Sequence, residues 1–83
     1  MLIAKVKFIH ERDNSLSREY NYAVTEELAT RLRPGMVVIV EGVTGRTKYA
    51  VAVLSRIIWS TEPEEVGIVN KRVLSKTDLT EVQ

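Results

Sequence analysis

Few residues in this 83-residue chain have types and spacing that can do chemistry. There is one histidine, His10, and no cysteine. A zinc site would therefore need three carboxylates, and no thiolate nucleophile or disulfide framework is available. Glu26 and Glu27 are adjacent, and Glu62, Glu64 and Glu65 surround Pro63. General acid–base work needs a carboxyl held in a shaped, partly dry pocket, for which so short a chain has little room. The serines at 15, 17, 55, 60 and 75 have no base partner beyond the lone histidine. "GVTGRTK", residues 42–48, lacks the spacing of a phosphate loop and has no helix after it; it reads as a hairpin turn. These residues point to no catalytic, metal or cofactor site.

Binding features stand out more. Arg46 and Lys48 leave the glycine turn with Tyr49 beside them, and Arg56 follows on the same long segment. Lys71 and Arg72 lie further on. Basic residues on a β surface next to aromatics can track a phosphate backbone while the rings stack on bases. Outward Lys and Arg also keep strand edges soluble, which is the plainer reading. Trp59 ends the long segment and suits three roles: a stacking platform, an anchor at a protein interface, or a plug in the core. "REYNYAV", residues 18–24, places Tyr20 and Tyr22 on either side of Asn21.

The elements that must position these residues are short. Residues 2–9 alternate, with Leu2, Ala4, Val6 and Phe8 on one face and Lys5 and Lys7 on the other, so they read as a half-buried strand. "ERDNSLSR" breaks the pattern with turn formers. A second strand is expected over Glu19 to Val24, with Tyr20, Tyr22 and Val24 sharing one face. Thr25 caps a short helix expected over about residues 26–33, with Glu26 and Glu27 at its positive end and Pro34-Gly35 as its stop. Met36 to Glu41 reads as a third strand and Arg46 to Trp59 as a long fourth. Ser55 and Arg56 are the expected place for a bulge, since an unbent strand of that length would be unusual. "STEPEE" reads as an acidic loop, and Val66 to Leu74 as a last strand weakened at Gly67. The expected domain is 1–74, with 75–83 a polar, frayed tail in which Leu79 and Val82 can dock.

This pattern is mainly β: a small, bent, SH3-like barrel of about five strands with one short helix. Its stretch Leu32 to Val40, of the form L-x-x-G-x-x-V-x-V, is common in such barrels and specifies fold better than role. The apolar share is 45%, too high for disorder. The net charge is only +1, short of the excess of a typical duplex-DNA binder. Residues 1–60 hold nine Lys/Arg against six Asp/Glu, so nucleic-acid binding would need a local patch. The start "MLIAKVKFIH" lacks the form of a signal peptide, and the longest apolar run, Tyr49 to Leu54, is too short for a membrane span. A cytoplasmic protein without a membrane or metal partner is expected.

The segment from Arg18 to Ile58, about half the chain, resembles the N-terminal 3′-DNA-binding domain of the PriA primosomal helicase family. The matching pieces are Tyr20-Asn21-Tyr22, Leu32 to Val40, Gly42, Arg46 and the apolar strand from Ala50 to Ile57. The resemblance implies a pocket for a terminal 3′ nucleotide formed with Tyr20, Asn21, Tyr22 and Gly42. Asn21 stands where that family has an acidic residue, so a carboxylate acceptor is replaced by an amide that can pair with a base edge. Lys71 is the candidate for the family's pocket lysine. No helicase follows within these residues, so the resemblance implies a binding module without catalysis. The expected function is thus non-catalytic binding of a nucleic-acid single strand or 3′ end. Tyr20, Asn21 and Tyr22 would stack on and read bases, and Arg46, Lys48 and Arg56 would hold phosphates, with Gly42 and Lys71 entering only through the resemblance. The alternative is a protein-interaction module, including a homodimer, motivated by the near-neutral charge, the apolar long strand and Trp59.

Overall fold

A computed structural model describes residues 1–10, 12–42, 48–66, 69 and 71–77. The chain is mainly β. Its elements are β1 (Leu2–Lys7), β2 (Tyr20–Ala23), α1 (Glu26–Ala29), β3 (Val37–Glu41), β4 (Tyr49–Trp59), α2 (Pro63–Val66) and β5 (Val73–Lys76). The strands form one antiparallel sheet in the order β2-β1-β4-β3-β5. Its two outer strands then meet: Ala23 bridges to Arg72 in parallel sense, and the Ala23 N–H donates to the Lys71 carbonyl at 2.8 Å. That contact curls the sheet closed.

β4 is the long spine. Its first half pairs with β3, from Tyr49 opposite Glu41 to Val53 opposite Val37. Its second half pairs with β1, from Val53 opposite Lys7 to Trp59 opposite Leu2. Lys5 faces Arg56 and Val6 faces Leu54, which leaves Ser55 as the extra residue of a bulge. Alternation reverses there. Ala50, Ala52 and Leu54 point inward before it, Ile57 after it, and Arg56 outward.

Alternation in β1 and β3 supplies Ala4, Val6, Val38 and Val40 to the core, joined by Tyr22, Val24, Leu32, Ala52, Leu54 and Val73. Ile3 lies on the opposite face of β1 from Ala4 and is still wholly buried, in register with Ile58 and Ala23.

α1 begins as expected: the Thr25 hydroxyl accepts from the Leu28 N–H at 3.1 Å. It is shorter than residues 26–33, ending at Ala29. The Arg31 and Leu32 amides donate to Leu28 and Ala29, three residues back, so the helix tightens into a turn. Pro34 disfavours helix in the residue before it, and Leu32 is drawn into the core instead of extending the helix. Gly35 has φ of 94°, which a residue with a side chain rarely adopts, and its N–H bonds the Leu54 carbonyl.

The segment after β4 departs most from expectation. Instead of a loop, Pro63–Val66 forms a helical turn, because proline is favoured at a first helical position, where its missing N–H costs nothing. The final strand is Val73–Lys76, not Val66 to Leu74, and it continues two residues past the boundary placed at 74. Lys76 pairs with Val38 and Ser75 with Ile39. The expected weak point at Gly67 and the docking residues Leu79 and Val82 lie outside the described residues.

Candidate nucleic-acid interface

In β2 the period of two separates the Tyr-Asn-Tyr triplet. Tyr22 is 4% exposed, so its ring is part of the core. Tyr20 packs at the core margin, edge-on to Phe8 at 5.5 Å, with the Arg18 guanidinium 4.8 Å above its ring. The tyrosines hold β2 in place and Tyr22 offers no free face to a base. Asn21 is on the other side, opposite Lys5, whose next neighbour across the sheet is Arg56. Of the three, it is the residue turned away from the core.

The closure of the sheet gathers residues far apart in sequence. Ala23 follows Tyr22 and bonds Lys71. Arg72 donates its N–H to the Glu41 carboxylate at 2.9 Å, and its carbonyl accepts from the Glu41 N–H at 3.1 Å. The two side chains also form an ion pair at 3.5 Å. Gly42, buried next to Glu41, donates to the Lys48 carbonyl at 3.0 Å. One seam thus collects the end of β2, the end of β3, the start of β5 and Lys48. A groove of about 270 Å³ opens beside it between α1 and β5, with Arg31, Arg72 and Glu27 on its walls. Burial lifts the Tyr22 phenol above its ordinary range, with the Tyr20 phenol and the Glu41 charge adding to the shift.

Of the residues singled out from the sequence, Gly42, Lys48 and Lys71 belong to this seam; Tyr20 and Tyr22 anchor β2 from the core side, and Asn21 sits two positions before Ala23, in register with Lys5. Arg56 does not. It lies about 25 Å along β4 from Lys48, beyond the bulge that reverses the faces. Its guanidinium is held by Glu19, with nitrogen–oxygen distances of 3.2 and 3.3 Å, and the Ser55 hydroxyl donates to the same carboxylate at 2.6 Å. Those bonds, Ser55 first and then Arg56, keep the Glu19 carboxyl below its usual range. Trp59 ends β4 opposite Leu2 and is 65% exposed, which removes the core-plug role. Arg46 lies outside the described residues.

Glu41 and Arg72 are the seam's structural link. The sequence points to Arg72 only as one more basic residue and does not point to Glu41, because their pairing joins positions thirty-one apart. Among the described residues no group of His, Cys, Asp and Glu could hold a metal ion, and no helix is long and apolar enough to cross a membrane. His10 is exposed at the end of β1, away from any such cluster. Compared with protein-family models, curated proteins and solved structures, the chain matches none.

Proposed function

We propose that the chain is a non-catalytic nucleic-acid-binding module that takes a single strand, or its 3′ end, at the seam between β2 and β5. The observation that supports this most is the convergence of residues 23, 41–42, 48 and 71–72, with Asn21 two positions before Ala23 on β2. Of the pieces that carry the resemblance to the PriA DNA-binding domain, Gly42 and the candidate Lys71 fall in the seam and the triplet at 20–22 leads into it; with that resemblance comes the SH3-like reading of the barrel. Lys48 and Lys71 meet phosphates, while Arg72 at the groove is held by Glu41 and adds charge only when that pair opens. The Asn21 amide, with a donor and an acceptor, reads a base edge. Tyr22 acts by fixing β2 from inside. Arg56, already held by Glu19, contributes little. The absence of cysteine fits a cytoplasmic setting.

The test is fluorescence anisotropy of a labelled single-stranded oligonucleotide against salt. Two or three phosphate contacts give a log–log slope of about −1.4 to −2.1. Lys71→Ala should make the slope shallower by about 0.7, while Arg56→Ala leaves it unchanged. Lack of binding at about 50 mM salt and about 100 μM protein, for DNA and RNA alike, rejects the proposal.

A further inference from the structure

The first half of β4 has a second, open side. β3 takes the even-numbered residues: Leu54 donates to the Met36 carbonyl at 2.8 Å, Gly42 donates to the Lys48 carbonyl, and Ala52 and Ala50 stand opposite Val38 and Val40 between them. In an antiparallel ladder the alternate residues turn their N–H and C=O groups the other way. These are Tyr49, Val51 and Val53. On that side β1 reaches only as far as Val53, which pairs with Lys7. Beyond it β1 swings away into an arm, where Ile9 bridges Leu16, and Ser17 and His10 bond across. The backbone groups of Tyr49 and Val51 therefore have no partner among the described residues.

The side chains around this opening are unusual for a solvated edge. Tyr49 is 64% exposed and Val51 48% exposed. Ile9 and Leu16, bridged to each other on the arm that follows β1, are exposed as well. On the β3 side of Tyr49 and Val51, away from this opening, an open groove of about 370 Å³ runs over Ile39 and Leu74. Natural sheets protect bare edges with charge, proline or a bulge within the edge. Here the charges stand only at the two ends: Lys48 before Tyr49, and Lys7 beside Val53. Neither lysine pairs with an acidic side chain among the described residues.

We propose that the open edge of β4 from Tyr49 to Val51 is a docking site for an extended, acidic peptide segment of a partner protein, added as a further strand. Backbone donors and acceptors in strand register call for another strand, whose outward side chains would lie beside those of Tyr49 and Val51. Charge selects the partner. If a second copy paired antiparallel along the same edge, Lys48 of each would arrive beside Lys7 of the other, so like charges would meet at both ends. A peptide with carboxylates flanking its apolar residues turns both lysines into attractions. Lys48 also belongs to the seam, but the open backbone of Tyr49 and Val51 does not depend on the nucleic-acid reading.

The test is selection of random eight-residue linear peptides against the full chain, followed by amide hydrogen exchange with a selected peptide. Enriched peptides should alternate apolar residues and carry Asp or Glu near their ends. In the free protein the Tyr49 and Val51 amides should exchange at least tenfold faster than those of Ala50 and Ala52, and peptide should slow them at least tenfold. Val51→Asp, whose fold is checked by its Ala50 and Ala52 amides, should lower affinity at least tenfold. The proposal is overturned by a selection that enriches nothing or only basic peptides, or by protection elsewhere. Equal binding by a peptide N-methylated at alternate amides, or concentration-dependent dimerisation blocked by Val51→Asp, overturns it as well.

Discussion

Replacing Glu41 with glutamine separates structure from function at the seam. The Glu41 carboxylate accepts the Arg72 N–H and pairs with the Arg72 guanidinium. Glutamine keeps an oxygen for the N–H and loses the charge. The two side chains are 39% and 71% exposed, so the lost ion pair costs at most about 1 kcal/mol. In a domain of this size that lowers the melting temperature by about 4–8 °C or less. For binding the sign is opposite. A carboxylate about 6 Å from a phosphate in a water-like medium repels it by about 0.7 kcal/mol, so its removal tightens binding about threefold. Freeing Arg72 adds to this. The gain should be clear at about 50 mM salt and vanish near 1 M, where the screening length is about 3 Å. Thermal melting and oligonucleotide anisotropy on the same samples give both numbers. If Glu41→Gln weakens low-salt binding together with stability, or tightens it equally at high salt, the seam is not where phosphates lie.

Other consequences follow from the fold. Leu54→Ala should cost about 2–5 kcal/mol in chemical denaturation, whereas Val51→Ala, two-faced apart on the same strand, should stay within about 1 kcal/mol; equal losses would contradict the inward and outward assignment of β4. The Glu19 carboxyl lies below its ordinary value of 4.5, so its bonds stabilise the fold above that pH, and this contribution fades as pH falls through the lowered value. Glu19→Gln should accordingly show a smaller drop in urea midpoint between pH 6 and pH 3 than the parent chain. The Tyr22 phenol is raised above 10.0, so its contribution is complete below that pH and is lost as pH climbs through the folded value. Tyr22→Phe should blunt the alkaline loss seen in a denaturation series.

The sequence marks the elements whose burial is periodic. Alternation in residues 2–7 and 37–41, the cap at Thr25, and even the bulge at Ser55 follow from local pattern. Two kinds of feature do not. The last strand has only four residues, with one alternation of Val73 and Ser75, so Val66 to Leu74 offered a stronger but mistaken signal. The seam rests on Ala23 meeting Arg72 and on Glu41 meeting Arg72, contacts created by closing the sheet. The basic residues show the same limit. Lys48 and Arg56 have matching parity, but the extra Ser55 sends Arg56 outward, and Glu19, distant in sequence, occupies it. For the triplet at 20–22, periodicity foretold the split that the structure has, tyrosines toward the core and Asn21 away from it.

The central claim is the location of single-strand binding, and residue-resolved NMR titration with a short oligonucleotide tests it most directly. The account predicts that the largest amide shifts fall on Asn21 to Ala23, Gly42, Lys48 and Lys71 to Arg72, with Arg56 and Trp59 little changed. Shifts centred on Arg56 and Trp59 with the seam silent, or no shifts at all at low salt, would contradict it.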